Sequence, residues 1–244
     1  SMAKLIVANW KMNPATAAEA IKLAQASDVA NVIIAPPFLF LPAVKEQLHF
    51  AKMAAQDVYG GIGKTGPFTG EVSASQLADA GVRYVIVGHS ERRQLLNETD
   101  DMVAHKVAAV LKQQLTPIVC IGETKEQRDT GQSLAVVERQ LQHALHYLKN
   151  PAQRVLVAYE PIWAISTSED AQPDTPGNAA EMAAHIGKVA QRVRCMVQVL
   201  YGGSVTGENA KVFLRQKNIA GALVGGASLK KEEIKNISAI AASL

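Results

Sequence analysis

Val157-Ala158-Tyr159-Glu160-Pro161-Ile162-Trp163-Ala164 sets a carboxylate at the C-terminal end of an apolar run, then stiffens the exit with proline and a bulky aromatic. A base that strips a carbon-bound proton needs such a mounting, with a rigid strand beneath and a cover behind. Three other segments end apolar runs in polar chemistry: Ala8-Asn9-Trp10-Lys11, Val87-Gly88-His89-Ser90-Glu91-Arg92-Arg93 and Leu200-Tyr201-Gly202-Gly203-Ser204. Each alone is a weak signal. Together, and in this order, they form a specific pattern.

Working outward, short β-rich runs alternate with segments of helical period. The spacing predicts strands at Leu5–Trp10, Asn31–Ala35, Lys52–Gln56, Tyr84–Gly88, Thr116–Ile121, Val155–Tyr159, Val197–Tyr201 and Gly221–Val224. It predicts helices at Ala15–Gln25, Pro42–Leu48, Ser75–Ala80, Thr99–Gln114, Ser133–Leu148, Asn178–Val193, Asn209–Gln216 and Lys231–Ala242. Most of the strands are apolar almost throughout, as in a parallel sheet covered on both faces. Eight β-then-α units in 244 residues point to the α/β class and a closed (β/α)8 barrel of parallel strands. No linker or composition break divides residues 1–244, so a single domain is expected. A doubly wound open sheet would want a glycine-rich turn after the first strand. The turn there is Asn9-Trp10-Lys11-Met12-Asn13-Pro14, which has no glycine.

The composition is 48% hydrophobic and 19% charged, enough apolar material for a large core. No run approaches the ~18 apolar residues of a membrane span. No charged-then-apolar leader opens the chain, so secretion is not expected. Cys120 and Cys195 provide neither a disulfide framework nor metal-ligand spacing, which suits a reduced, cytoplasmic setting. A formal charge of +3, without a basic stripe interleaved with aromatics, does not argue for nucleic acid. The long segment Asp57–Ser73, with five glycines, reads as a protruding arm or a surface loop.

Barrel active sites gather at the C-terminal ends of the strands. Glu160 is the base on this reading, against the plain alternative of a solvated rim glutamate. His89 opens a segment that could begin a short helix, whose backbone N–H groups favour neutral imidazole, able to donate to a substrate oxygen. The alternative is a satisfied core histidine. Lys11 lies just past a buried strand, where an ammonium is costly unless an anion joins it. The alternative is a lysine that reaches solvent. Asn9 falls on the same face by strand alternation. Gly202-Gly203-Ser204 and Gly225-Gly226-Ala227-Ser228 follow the last two strands, where barrels hold phosphate, although either could be a tight turn.

These segments, with Gly66-Pro67-Phe68-Thr69-Gly70-Glu71 and Cys120-Ile121-Gly122-Glu123, resemble the triosephosphate isomerase family over essentially the whole chain. The resemblance implies a single-domain (β/α)8 TIM barrel that interconverts glyceraldehyde 3-phosphate and dihydroxyacetone phosphate, with no metal and no organic cofactor. It implies that Glu160 shuttles the proton, His89 polarises the carbonyl, Lys11 and Asn9 stabilise the enediolate, and Glu91 positions the cationic groups. Ser204 with the amides of Gly225 and Gly226 would hold the phosphate, joined by the amide of Ser166. A homodimer through the Asp57–Ser73 arm is implied as well, with no nucleic-acid or membrane partner.

Two regions depart from the family. Its lid runs isoleucine-glycine-threonine-glycine-lysine, whereas here Ile165, Ser166, Thr167, Ser168 and Glu169 lead into Asp170-Ala171-Gln172-Pro173-Asp174-Thr175-Pro176. Both glycines are serine and the basic position is acidic, so altered closure with retained chemistry is expected. Asp57 also stands where the family usually carries asparagine, at the point where the arm departs, which puts hydrogen bonding at the interface in question. A barrel that binds a phosphorylated ligand without turnover is an alternative that the lid would suit, but it would not need a positioned base. A barrel enzyme acting on a larger sugar fits the fold but not the full motif set.

Overall fold

Runs of Val, Ile, Leu and Ala become eight parallel strands in the computed structural model, which describes residues 3–61, 63–165 and 171–244. They are β1 (Leu5–Asn9), β2 (Val32–Ala35), β3 (Lys52–Ala55), β4 (Tyr84–Val87), β5 (Thr116–Ile121), β6 (Arg154–Tyr159), β7 (Met196–Tyr201) and β8 (Gly221–Val224). Each pairs with the next, and β1 also pairs with β8, Val7 opposite Leu223, so the ring closes without an edge. All eight expected strands are present, within one residue at each end.

The helices are α1 (Ala17–Ser27), α2 (Leu41–Lys45), α3 (Ala74–Asp79), α4 (Ser90–Leu95), α5 (Asp100–Lys112), α6 (Lys125–Asp129), α7 (Ser133–Ala144), α8 (Pro176–Arg192), α9 (Ala210–Leu214) and α10 (Lys231–Ala242). Caps define several starts: Thr16 and Glu19 form a reciprocal capping box at α1, and the Thr175 hydroxyl accepts from Asn178 N at α8. Helix α7 is shorter than the expected Ser133–Leu148, because beyond Ala144 the chain tightens into i→i+3 turns such as His146 N to His143 O. The short α6 was not expected. It rests on its own capping box between Thr124 and Gln127. The Asp57–Ser73 arm carries no helix or strand among its described residues; Tyr59 N donates to Val72 O at 2.8 Å and closes its base.

Strand alternation sorts the core into two layers. Val7, Ile33, Ile86, Ile118, Leu156 and Leu200 are among the residues that fill the barrel, while Ile6, Val85, Val119 and Val157 face the helices. The same alternation aims the site. Leu156 and Ala158 point inward, and so the next residue of that parity, Glu160, emerges inside the C-terminal rim. Val7 and Asn9 follow the same rule on β1. On β4 the parity would turn His89 outward, but Gly88 at φ +70 breaks the alternation.

Asp57 is paired within the chain. It meets Lys106 at 2.7 Å and Arg92 at 3.0 Å, and both cations also hold the buried Glu98, at 2.9 and 2.8 Å. The departure from asparagine thus completes a four-membered ion-pair cluster at the root of the arm.

Candidate active site

Glu160 is held from every side of its backbone. Its N–H donates to Ile121 O at 2.8 Å, and its carbonyl lies so close to Gly122 that a Cβ there would come within 1.8 Å. Its side chain is 2% exposed, and neither carboxylate oxygen has a hydrogen-bond partner among the described residues. His89 Nε2 does approach Oε1 at 3.1 Å, but the N–H is not aligned for a hydrogen bond. A buried carboxylate left without donors is costly for stability and is characteristic of catalytic positions. Beside it lies the Cys120 thiol, which burial, and then the Glu160 charge, push well up and keep protonated.

His89 is the N-cap of α4, and its Nδ1 accepts the backbone N–H of Glu91 at 3.2 Å. That bond occupies Nδ1 and leaves the proton on Nε2, the nitrogen that faces Glu160. Arg93 braces the turn: it donates to Gly88 O at 2.7 Å and pairs with Asp100 at 2.6 Å.

Lys11 adopts φ 55, a left-handed conformation that costs a non-glycine residue about 1–3 kcal/mol. Three bonds over-determine it. Its N–H donates to Asn9 Oδ1 at 3.1 Å, its carbonyl accepts from Gln56 Nε2 at 2.7 Å, and its ammonium meets Glu91 Oε1 at 2.7 Å. Ser228 ties the turn after β8 to β1, donating to Gly225 O at 2.6 Å and contacting Asn9 O at 3.3 Å.

A cavity of about 460 Å³ joins these groups. Asn9, Lys11, His89 and Glu160 form one wall, while Ser204, Gly225 and Gly226 form the other. Glu91 touches Lys11 from behind without lining the cavity. The structure therefore brings together every sequence-predicted site residue it describes, at strand ends as far apart as residues 9 and 226. Ser166, Ser168 and Glu169 lie outside the described residues. Gly202 sits against the base, and a Cβ there would fall 2.6 Å from Glu160 Cγ. Gly202→Ala is accordingly expected to lower turnover about 100-fold by displacing the carboxylate, with circular dichroism unchanged. Wild-type turnover in that variant would show that the contact tolerates adjustment.

Sequence reasoning missed Glu123, which is 1% exposed and accepts from Tyr159 Oη at 3.0 Å and Trp163 Nε1 at 2.9 Å. It also missed Arg128, which stacks over Trp163 at 3.5 Å, and Asp174. The Cys120-Ile121-Gly122-Glu123 motif was visible, but what Glu123 would hold was not.

A closed parallel barrel with a carboxylate, an imidazole and an ammonium gathered around one glycine-walled cavity at its C-terminal rim places the chain in the class of (β/α)8-barrel proteins with a candidate acid–base site. The triosephosphate isomerase family model matches residues 4–241. The chain is 42% identical over 247 residues to triosephosphate isomerase of Delftia acidovorans, covering 98% of each protein. It is 41% identical to the cytosolic triosephosphate isomerase of Oryza sativa subsp. japonica, covering 94% of each, and 37% identical to that of Aquifex aeolicus. The chain belongs to the triosephosphate isomerase family.

Proposed function

We propose that this chain interconverts D-glyceraldehyde 3-phosphate and dihydroxyacetone phosphate, the reaction of its family, with Glu160 carrying the proton between the two carbons. Glu160 takes the proton from the carbon next to the carbonyl, and the electron pair of that C–H bond shifts to give an enediolate. His89 donates from Nε2 to the carbonyl oxygen as charge builds there, and the Lys11 ammonium, oriented by Glu91, supplies the nearby positive field. Asn9 anchors the Lys11 backbone. The hydroxyl proton of the neighbouring carbon's oxygen passes by way of His89 Nε2 to the former carbonyl oxygen, which restores His89, and the proton on Glu160 then returns to the former carbonyl carbon as the new carbonyl forms beside it. Ser204 and the amides of Gly225 and Gly226 hold the phosphate.

The observation that carries this reading is the 3.1 Å approach of His89 Nε2 to a buried carboxylate with no hydrogen-bond partner among the described residues. A coupled assay on glyceraldehyde 3-phosphate tests it, run in deuterated water. Turnover with solvent deuterium entering the product carbon is expected, whereas turnover without any solvent exchange would point to hydride transfer.

The chain acts as a homodimer through the Asp57–Ser73 arm on this reading. In support, the arm carries the part-exposed Phe68, and Met12 beside the site is 93% exposed, an apolar side chain that a partner's surface would cover. Sedimentation is expected to give a mass near twice 26.1 kDa. No described helix is long and apolar enough to cross a membrane; with two free cysteines, a cytoplasmic setting is proposed.

A further inference from the structure

One half-buried carboxylate takes part in none of the steps above. Asp174 lies just before α8, and its Oδ1 accepts from Thr175 N at 2.7 Å and Asn178 Nδ2 at 2.9 Å. Its Oδ2 accepts from Tyr201 Oη at 3.2 Å. Tyr201 ends β7, immediately before Gly202-Gly203-Ser204. Its ring is stacked flat on Phe213, centroids 4.2 Å apart, and its hydroxyl lies over Gly203, where a Cβ would come within 2.1 Å of Oη. On the other flank, Ser204 N donates to Ala164 O at 3.2 Å, and Gln172 N donates to Trp163 O at 2.8 Å. The turn is thus gripped between two stretches of the same connection, Ala164 directly and Asp174 through Tyr201.

We propose that Asp174 is a positioning residue: by holding the Tyr201 hydroxyl over Gly203, it sets the Gly202–Ser204 turn in place to receive the substrate's phosphate. The inference rests on the isomerase reading for the identity of that anion. Asp174 does not line the cavity and does not touch substrate. Three donors occupy its oxygens, which masks a negative charge that would otherwise oppose a phosphate nearby.

The same arrangement makes the turn sensitive to acid. Burial pushes the Asp174 carboxyl above its ordinary 3.8, and its three hydrogen bonds and the Arg128 charge offset that only in part. Around it stand Tyr201 from β7, Arg128 from α6, and Tyr159 from β6, whose hydroxyl lies 3.5 Å from Asn178 Nδ2 with Glu123 behind it. Burial raises both tyrosine hydroxyls, so they remain donors throughout. Asp174 therefore protonates at a higher pH than an ordinary aspartate, and Tyr201 then loses its charged acceptor.

The full chain carrying Asp174→Ala, Asp174→Asn or Tyr201→Phe tests this. Asp174→Ala and Tyr201→Phe are each expected to raise KM for glyceraldehyde 3-phosphate about five- to tenfold, and to weaken inorganic phosphate binding, measured by calorimetry, by the same factor. Asp174→Asn keeps an acceptor but cannot titrate. It is expected to stay near wild type at neutral pH and to lack the extra acid-side rise in KM; the phosphate's own titration is common to both proteins. Wild-type KM and phosphate affinity in Asp174→Ala or in Tyr201→Phe would overturn the proposal, as would an acid-side rise that persists in Asp174→Asn. Tyr201→Phe keeps the ring stack and so decides the case if Asp174→Ala does not fold. If the wild type shows no isomerase turnover, the isomerase reading fails, and the phosphate affinities still decide the role of Asp174.

Discussion

Glu160→Gln is expected to lower turnover by at least about a thousandfold while leaving KM within a few-fold of wild type. Glutamine has nearly the same shape, so the backbone bond to Ile121 and the packing against Gly122 and Gly202 persist. What disappears is the ability to take a proton from carbon and hand it back. Among the described residues that line the cavity the other acids are Glu208 and Glu233, and Glu233 already accepts from Gly207 N at 2.8 Å. The substitution also removes a buried carboxyl group that has no hydrogen-bond partner among the described residues, so the variant should be no less stable than wild type, and thermal melting can check this. Loss of turnover together with an undiminished melting temperature is the signature of a group kept for chemistry at a cost to folding. Turnover within tenfold of wild type would mean that the proton is taken by something else, and the roles proposed for His89 and Lys11 would fall with it.

The parts of this molecule that could be read ahead are those governed by local period. Strands buried on both faces show as unbroken apolar runs, and their C-terminal ends are where Asn9, Lys11, His89 and Glu160 stand out as polar residues following apolar ones. Strand parity accounts for Asn9 and Glu160 turning inward. It does not account for His89, which depends on the positive φ at Gly88, a glycine whose effect on direction emerges only once β4 is built. Glu123 and Asp174 were opaque for another reason. Their partners, Trp163 and Tyr201, lie 40 and 27 residues away, and nothing periodic links such pairs. The ion pairs of Asp57 were not legible because the cations it meets, Arg92 and Lys106, come from α4 and α5 and reach the arm only in the folded chain.

That cluster sets the largest stability effect expected. Lys106 is buried and bridges Asp57 at 2.7 Å and Glu98 at 2.9 Å, and Lys106→Met would leave Arg92 alone to neutralise two carboxylates. Glu98 is the more exposed to this loss in energetic terms: it is 4% solvent-accessible and its Oε1 has no hydrogen-bond partner among the described residues even in the intact cluster. Removing one partner of a buried ion pair typically costs about 3–5 kcal/mol, which in a chain of this size corresponds to a fall in Tm of about 10 °C. The pH dependence distinguishes lost electrostatics from lost packing. Burial pushes the Glu98 carboxyl up, but the hydrogen bonds and charges of Lys106 and Arg92 outweigh it and hold the group below its ordinary 4.5. A depressed folded-state value means that the contribution is complete above the unfolded value and is lost as pH falls through the folded one. The gap in Tm between wild type and Lys106→Met should therefore be widest near neutrality and should narrow below pH 4.5 as Glu98 protonates in both proteins. A gap that stays constant from neutrality into acid would assign the loss to packing of the lysine stem instead. Asp57→Asn supplies the complementary test, because it returns the cluster to the family's asparagine while leaving both cations paired with Glu98. It is expected to cost far less than Lys106→Met, since it leaves no carboxylate without a cation.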